Sequence, residues 1–293
     1  MRRYYKKGKF TAIKSLIKML PDKPYLKIKY YLCCKERLSF NNPKTYNAKL
    51  QWLKIYDRNP DYVPLVDKYE VKRIVGEKIG DEHIIKTYGV WDSFDEINFD
   101  GLPDQFVLKC THDSGSVSIC KDKSSFDLDR ARERIERALK FDVFKDGREW
   151  PYKNVKPRII AEAYMEDTTV GELRDYKFFT FGGVPKYVHI VSNRQNPNEE
   201  TYGDFFDMDY QHVELTIGHN NAPIPPEKPV NFDKMVEYAK LLSEGTKQLR
   251  VDFYEVDGQL YFGELTFFHD SGFGDIRPES WNKKLGELID LSE

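Results

Sequence analysis

Two runs of branched and aromatic residues flank Asp257-Gly258 in LRVDFYEVDGQLYFGELTFF. No other stretch restricts the fold as much, because it dictates a β-hairpin whose register decides where Arg250, Asp252 and Glu264 point. With Val256, Asp257 and Gly258 as a three-residue loop and Gly258 left-handed, Glu255 pairs with Gln259. Arg250 then faces Glu264, and Asp252 lies diagonally beside it. A two-residue turn would shift the pairing by one and send Asp252 and Glu264 to opposite faces. In the same-face register, carboxylates about 7 to 8 Å apart at Cα can converge on hard cations, which prefer oxygen ligands. A solvated strand face with an Arg250 to Glu264 ion pair competes with that arrangement, and spacing leaves both open.

The rest of the chain divides by texture. MRRYYKKGKFTAIKSLIKML carries Arg2, Arg3, Lys6, Lys7, Lys9, Lys14 and Lys18 with no acidic residue before Asp22. Phe10, Ile13, Leu16, Ile17 and Leu20 recur at helical spacing, and Pro21 ends that pattern. Such a helix either packs on the body or lies on a membrane surface. A helix with Tyr46, Leu50, Leu53 and Tyr56 on one face follows Asn42-Pro43, and another is expected in VDKYEVKRIVGEKIG. From Ile84 the pattern changes to short β-rich runs, IIKTYGVW, FVLKC, SVSIC, RIIAEAYM, YKFFTF and YVHIVS. Two helical patterns interrupt them, with Leu128, Ala131, Ile135 and Leu139 on one, and Phe232, Met235, Val236, Ala239 and Leu242 on the other. The fold class is α+β with mostly antiparallel sheets. Flexible connections are expected around Asp146 to Pro157 and Asn193 to Tyr202, and a surface loop at HNNAPIPPEKP.

Composition excludes several classes of function. Forty-six Lys and Arg against 48 Asp and Glu leave a formal charge of −2, so nucleic acid is not an expected partner. The four cysteines include the adjacent pair Cys33-Cys34 and no C-x-x-C spacing, which fits neither a zinc site nor a disulfide framework and points to the cytoplasm. No run approaches the roughly 18 apolar residues of a membrane span. The six histidines show no H-E-x-x-H spacing, and no G-x-S-x-G elbow occurs.

Two further stretches could carry chemistry. FVLKCTHDSGSVSIC is a strand with Lys109, a polar loop from Thr111 to Ser116, and a second strand; such a loop can aim backbone N–H groups and hydroxyls at phosphate oxygens. A plain hairpin is the alternative. RIIAEAYMEDTTVGELRDYKFFTFGG is a buried-type strand ending in Glu162, Glu166 and Asp167. It could offer backbone groups to an adenine edge and a carboxylate to ribose, or end in a solvated acidic turn.

Lys109 with its loop, then Glu162, then Asp252 and Glu264, resemble in this order the ATP-grasp superfamily. More narrowly, the chain is similar to the TupA-like ATP-grasp proteins of teichuronopeptide and capsular polysaccharide biosynthesis. The matching stretches are NNPKTYNAKLQWLKIYDRNP, VDKYEVKRIV, LPDQFVLKCTHDSGS, DYKFFTFGG and RVDFYEVDGQLYFGELTF with SGFGDIRP. The resemblance implies an ATP-grasp fold, two α+β lobes clamping ATP: a helical lead over 1–66, a first lobe over 67–157 and a second over 158–293. It implies ATP and Mg2+ as cofactors. Lys109 would bind phosphate under a loop of His112, Ser114, Gly115 and Ser116. Glu162, Ala163 and Tyr164 would form the adenine-side hinge, with Glu166 or Asp167 near ribose. Lys177 would face phosphates, Asp252 and Glu264 would hold the metal, and Arg250 would face the transferred phosphoryl group or substrate. Thr266 stands where many relatives carry asparagine as a further metal ligand, and a hydroxyl is the weaker oxygen donor.

The implied reaction joins a carboxylate, such as a uronic acid of a surface glycan, to an amine through an acyl phosphate. Phosphorylation supplies the leaving group that a carboxylate lacks. A glycosyltransferase, a sugar kinase or a non-catalytic nucleotide-binding scaffold are the rivals. Asp207-Met208-Asp209 has the letters of a D-x-D motif but lies in a Tyr-rich stretch that reads as a loop or strand edge.

Overall fold

The computed structural model describes residues 17–194 and 200–292. The expected basic helix falls almost wholly outside these residues, as does the centre of the expected connection at Asn193 to Tyr202.

The first sheet contains β1 (Thr87–Trp91), β2 (Phe106–Cys110), β3 (Ser118–Cys120) and β4 (Ile159–Ala163), antiparallel in the order β1-β4-β2-β3. Strands β2 and β3 alternate as a half-buried sheet should, while the more central β4 is buried on both faces up to Glu162. Phe106, Leu108, Cys110, Ile159 and Ala161 are buried in one core with Ala131 and Ile135 of the helix Leu128–Leu139. Asp127 caps that helix through the Arg130 N–H, and Leu128, expected on its apolar face, stays exposed. The other face of the sheet carries Val107, Lys109, Ile119 and Glu162, because Val107 is paired with both Glu162 and Ile119. Strand β4 therefore pairs inside the first sheet, not with the lobe beginning at 158, and the crossing between sheets is 164–174.

The second sheet contains β5 (Asp175–Phe181), β6 (Val184–Ser192), β7 (Tyr202–Phe206), β8 (His212–Val213), β10 (Gln248–Val256) and β11 (Gln259–Thr266). Its order is β11-β10-β5-β6-β7-β8, again antiparallel, while β9 (Thr216–Ile217) and β12 (Ile276–Arg277) form a separate ribbon. The helix Phe232–Leu242 buries Phe232, Met235, Ala239 and Leu242 as its period requires, with Phe232 5.8 Å from Phe178 between ring centres. On the opposite face the helix Tyr46–Tyr56, capped by Thr45, sets Tyr46 against Phe179 and Phe181. Its Leu50 and Leu53 are buried, but Tyr56 is exposed. Asp146 to Pro157 is no loose connection: it holds a helical turn at Trp150–Asn154, and the buried Arg148 reaches Asp22 at 3.1 Å.

The hairpin corrects the expected loop. Val256 pairs directly with Gln259, so Asp257 (φ 50°) and Gly258 (φ 78°) form a two-residue turn, both left-handed to match strand twist. That register would part the two carboxylates. It shifts between Phe253 and Asp252, however: Phe253 opposes Phe262, whereas Asp252 opposes Glu264, leaving Gly263 as the extra residue of a bulge. A Cβ on Gly263 would lie 3.0 Å from the Asp252 carbonyl oxygen, which accounts for glycine there. Asp252 and Glu264 are thus directly opposite, and Arg250 opposes Thr266.

Candidate active site

Paired residues on neighbouring strands share a face, so the registers line up Glu264, Asp252 and Lys177 across β11, β10 and β5. Asp252 is fully buried and triply bonded: Arg250 donates to both its carboxylate oxygens at 2.7 Å, and Lys177 Nζ donates at 2.8 Å. Arg250 also donates to Glu264 Oε1 at 2.5 Å and meets His269 Nδ1 at 2.6 Å. Lys177 lies 3.1 Å from Asp175, which Arg194 also reaches at 2.7 Å. The competing picture of a solvated ion pair does not hold at Asp252, although the Arg250 to Glu264 pair it named is present. The Glu264 side chain is 38% exposed and opens to the cleft. Burial alone would raise its carboxyl, but Arg250, Lys68 and Lys177 outweigh burial and hold it at about 2. The Thr266 hydroxyl donates to the same Glu264 oxygen at 3.2 Å, so Thr266 orients that carboxylate.

Facing these groups is a cluster of lysines from the first sheet, the helix Glu70–Ile79 and the turn before it. Glu162 is buried between Lys109 and Lys72, the latter at 2.6 Å. Burial raises the Glu162 carboxyl, yet the two lysines prevail and its pKa is lowered. Lys72 also donates to the Ile85 carbonyl at 2.6 Å, and Lys68 Nζ donates to the Asp113 carbonyl, tying that helix to the polar loop. Burial lowers the pKa of both Lys68 and Lys72, partly offset by the nearby carboxylates. Sequence reasoning missed this pair: Lys68 lies in the turn before the helix and Lys72 in its first turn, so helical spacing does not relate them.

The remaining expected residues divide. Ser114 and Gly115 are exposed at the loop tip. His112 and Ser116 are not offered to a ligand: His112 packs beneath the loop with Nε2 3.3 Å from the Phe141 carbonyl, and burial lowers its pKa. Ser116 donates to Asp113 at 2.6 Å and accepts from the Cys110 N–H. The Ala163 N–H is taken by the Lys86 carbonyl, so it cannot serve an adenine edge. Asp167 is buried and accepts from the N–H groups of Thr169, Val170 and Asp257, which removes it from a ribose role. Thr168 in turn donates twice to Asp257, fastening the hairpin tip to the crossing between sheets. Glu166 stays exposed, 3.4 Å from Lys121 and bonded to the Tyr164 hydroxyl. Tyr164 and Lys121 also wall an open groove of about 630 Å³ at that end of the sheet, apart from the charged cluster. Asp207, from the D-x-D letters, accepts from the N–H groups of Asp209 and Gln211 and only closes a turn.

Residues 48–290 match the family model described as TupA-like ATPgrasp. The chain belongs to the TupA-like ATP-grasp family. Among solved structures it is similar to D-alanine–D-alanine ligase from Helicobacter pylori, at 15% identity over 85% of this chain and 70% of that one, with a TM-score of 0.45. The ATP complex of the Bacillus anthracis enzyme gives 14% identity, 76% and 57% coverage and 0.40. D-cycloserine synthetase DcsG gives 16%, 78% and 71%, and 0.42. At such distances these likenesses say nothing of substrate. No curated protein matches the chain.

ATP-grasp ligases use ATP and Mg2+, and the residues of this TupA-like chain fit both. Among the described residues no group of three or more His, Cys, Asp or Glu could hold a metal unaided. Two opposed carboxylates suit Mg2+, which is bound by one or two of them and completes its shell with phosphate oxygens and water. No helix among the described residues is long and apolar enough to cross a membrane.

Proposed function

We propose that this chain is an ATP- and Mg2+-dependent carboxylate–amine ligase of surface polysaccharide biosynthesis, joining an amine to a sugar acid through an acyl phosphate. The observation that carries the reading is the direct opposition of Asp252 and Glu264, with Arg250 and Lys177 beside them and the Lys68, Lys72 and Lys109 cluster across the cleft. Mg2+, when bound by Asp252 and Glu264, neutralises charge on the phosphate oxygens. Lys109 and Lys68 add positive charge from the opposite side, and exposed Ser114 and Gly115 supply a loop tip that can fold over phosphate.

Val107 and Ile119 lie on the same face as Lys109, and Ile119 is 46% exposed. An apolar surface beside cations is what a purine base covers. Glu166 is the exposed carboxylate within reach of ribose, and Tyr164 borders that end.

A substrate carboxylate oxygen attacks the terminal phosphorus of ATP and ADP leaves. The amine nitrogen then attacks the acyl carbon, phosphate leaves, and the amine gives up a proton. Arg250, which bridges Asp252 and Glu264, would meet the transferred phosphoryl group if those carboxylates held a cation. The enzyme is expected in the cytoplasm, with the basic residues Arg2 to Lys18 drawing it to anionic lipid at the inner membrane face; unchanged sedimentation with anionic vesicles after removal of residues 1–20 would refute that part. The reaction is tested by incubating the full chain with ATP, Mg2+, D-glucuronate and an amino acid, with hydroxylamine as the trap. ADP with an amide or hydroxamate is expected. ADP with a phosphosugar, UDP from a sugar nucleotide, or no turnover across acids and amines would overturn it.

A further inference from the structure

The row of charged residues does not end at Lys177. The next register partner is His189, so Glu264, Asp252, Lys177 and His189 stand side by side on one face. The first three have partners; His189 has none. Its ring is 2% exposed, lies flat on Phe205 at 4.2 Å with planes 4° apart, and both ring nitrogens are without a hydrogen bond. Gly203 makes room for that ring, since a Cβ there would sit 2.4 Å from Nε2. His269, whose ring centre is 6.3 Å away, meets Arg250 through Nδ1, while its own buried Nε2 has no hydrogen bond and lies 3.7 Å from Asp270. A buried polar atom without a hydrogen bond is costly, and three of them lie on these two neighbouring rings.

We propose that His189 and His269 form the subsite that reads the acid reactant, by hydrogen-bonding a hydroxyl group close to its carboxylate. The inference rests on the ligase reading and adds the substrate's chemical class. Neighbouring strands are about 4.8 Å apart, so His189 lies about two strands from Asp252, a gap wide enough to take the phosphoryl group, the attacking carboxylate and its nearest substituent in line. Burial, with His269, Lys177 and Arg250 nearby, keeps the His189 imidazole uncharged. A neutral imidazole presents one donor and one acceptor. A hydroxyl matches both. An ammonium only donates and would meet Lys177 and Arg250, and a second carboxylate only accepts.

The test pairs acids alike in shape: D-glucuronate with cyclohexanecarboxylate, and lactate with propionate. Binding is read by calorimetry on the full chain with Mg2+ and a non-hydrolysable ATP analogue, and kcat/KM by ADP release. The unaltered protein should favour the hydroxylated member of at least one pair by about tenfold or more, the worth of one hydrogen bond. His189→Phe, which keeps the stack on Phe205, should bring that ratio close to one, and His189→Gln should restore part of it. No preference in either pair, or a preference that survives in His189→Phe, overturns the subsite. A preference lost in His189→Phe without ADP release from the unaltered protein upholds the subsite and overturns the ligase reading. If His189→Phe does not fold, His269→Phe supplies the same comparison.

Discussion

Replacing Glu264 with glutamine separates the chemistry of the site from its folding. The carboxylate accepts from Arg250 at 2.5 Å and from Thr266 at 3.2 Å, and glutamine keeps the shape and one acceptor oxygen. A hydrogen bond to a charged group contributes about 1.5–3 kcal/mol when buried. With 38% of the side chain exposed, solvent screening reduces the loss to about 1 kcal/mol. The thermal midpoint should therefore fall by only about 2–4 °C. Turnover should fall much further, by about 10²- to 10³-fold, because one of two oxygen donors to the cation is gone. Asp252→Asn should behave differently. That side chain is 1% exposed and neutralises both Arg250 and Lys177, so losing its charge should destabilise by about 3–5 kcal/mol as well as stop turnover. Calorimetric unfolding and coupled ADP release, measured on both variants, provide the comparison. ADP release from folded Glu264→Gln within about threefold of the unaltered protein would refute the two-carboxylate site, set against the loss expected for a removed electrostatic contact.

Lys109→Ala should weaken nucleotide binding by about tenfold in titration calorimetry, and protease should cut the unaltered chain near Gly115 less readily when ATP is present; unchanged affinity and equal cleavage would discard the phosphate loop. Gly263→Ala should disturb the bulge by crowding the Asp252 carbonyl, lowering turnover at least tenfold with about 1–2 kcal/mol of lost stability, and full activity would show that the bulge does not position the carboxylates. Burial, against a partly opposing Asp270, lowers His269 to about 4. The unfolded chain binds that proton from about pH 6.5 downward and the folded chain does not until about 4, so stability should decline through this window, by a few kcal/mol at most, and level off below it. Flat denaturant midpoints across the window would contradict this.

The strands were legible because each run alternates or is uniformly apolar over a length that only a sheet accommodates, as in FVLKC and YKFFTF. The helix Asp22–Cys34 was not. Lys23, Lys27 and Lys29 interrupt its apolar residues, and its contacts, Tyr25 to the Asp146 carbonyl and Asp22 to Arg148, come from more than 120 residues away. The same-face placement of Asp252 and Glu264 was expected, but from the wrong turn; a bulge within a strand leaves little local trace beyond a glycine. His112, Ser116 and Asp167 show the limit of reading polar residues in loops. Each satisfies a turn or packs beneath one, and only the fold reveals which hydroxyls and carboxylates remain spare. His189 and His269 have no spacing signal at all, since 80 residues separate them and His269 reaches His189 from the turn that follows β11.

The hairpin that carries Asp252 and Glu264 is also clamped at its far end, where Asp257 holds Thr168 and is held by Asp167 in the crossing between the sheets. Its inner and outer halves run in different phase, separated by Gly263. This makes the hairpin a jointed lever. Any rocking of the first sheet against the second tugs on its tip, the bulge is the compliant point along its length, and the gap between Asp252 and Glu264 is the jaw at the other end. Closing over a nucleotide and setting the width of that jaw are then one motion.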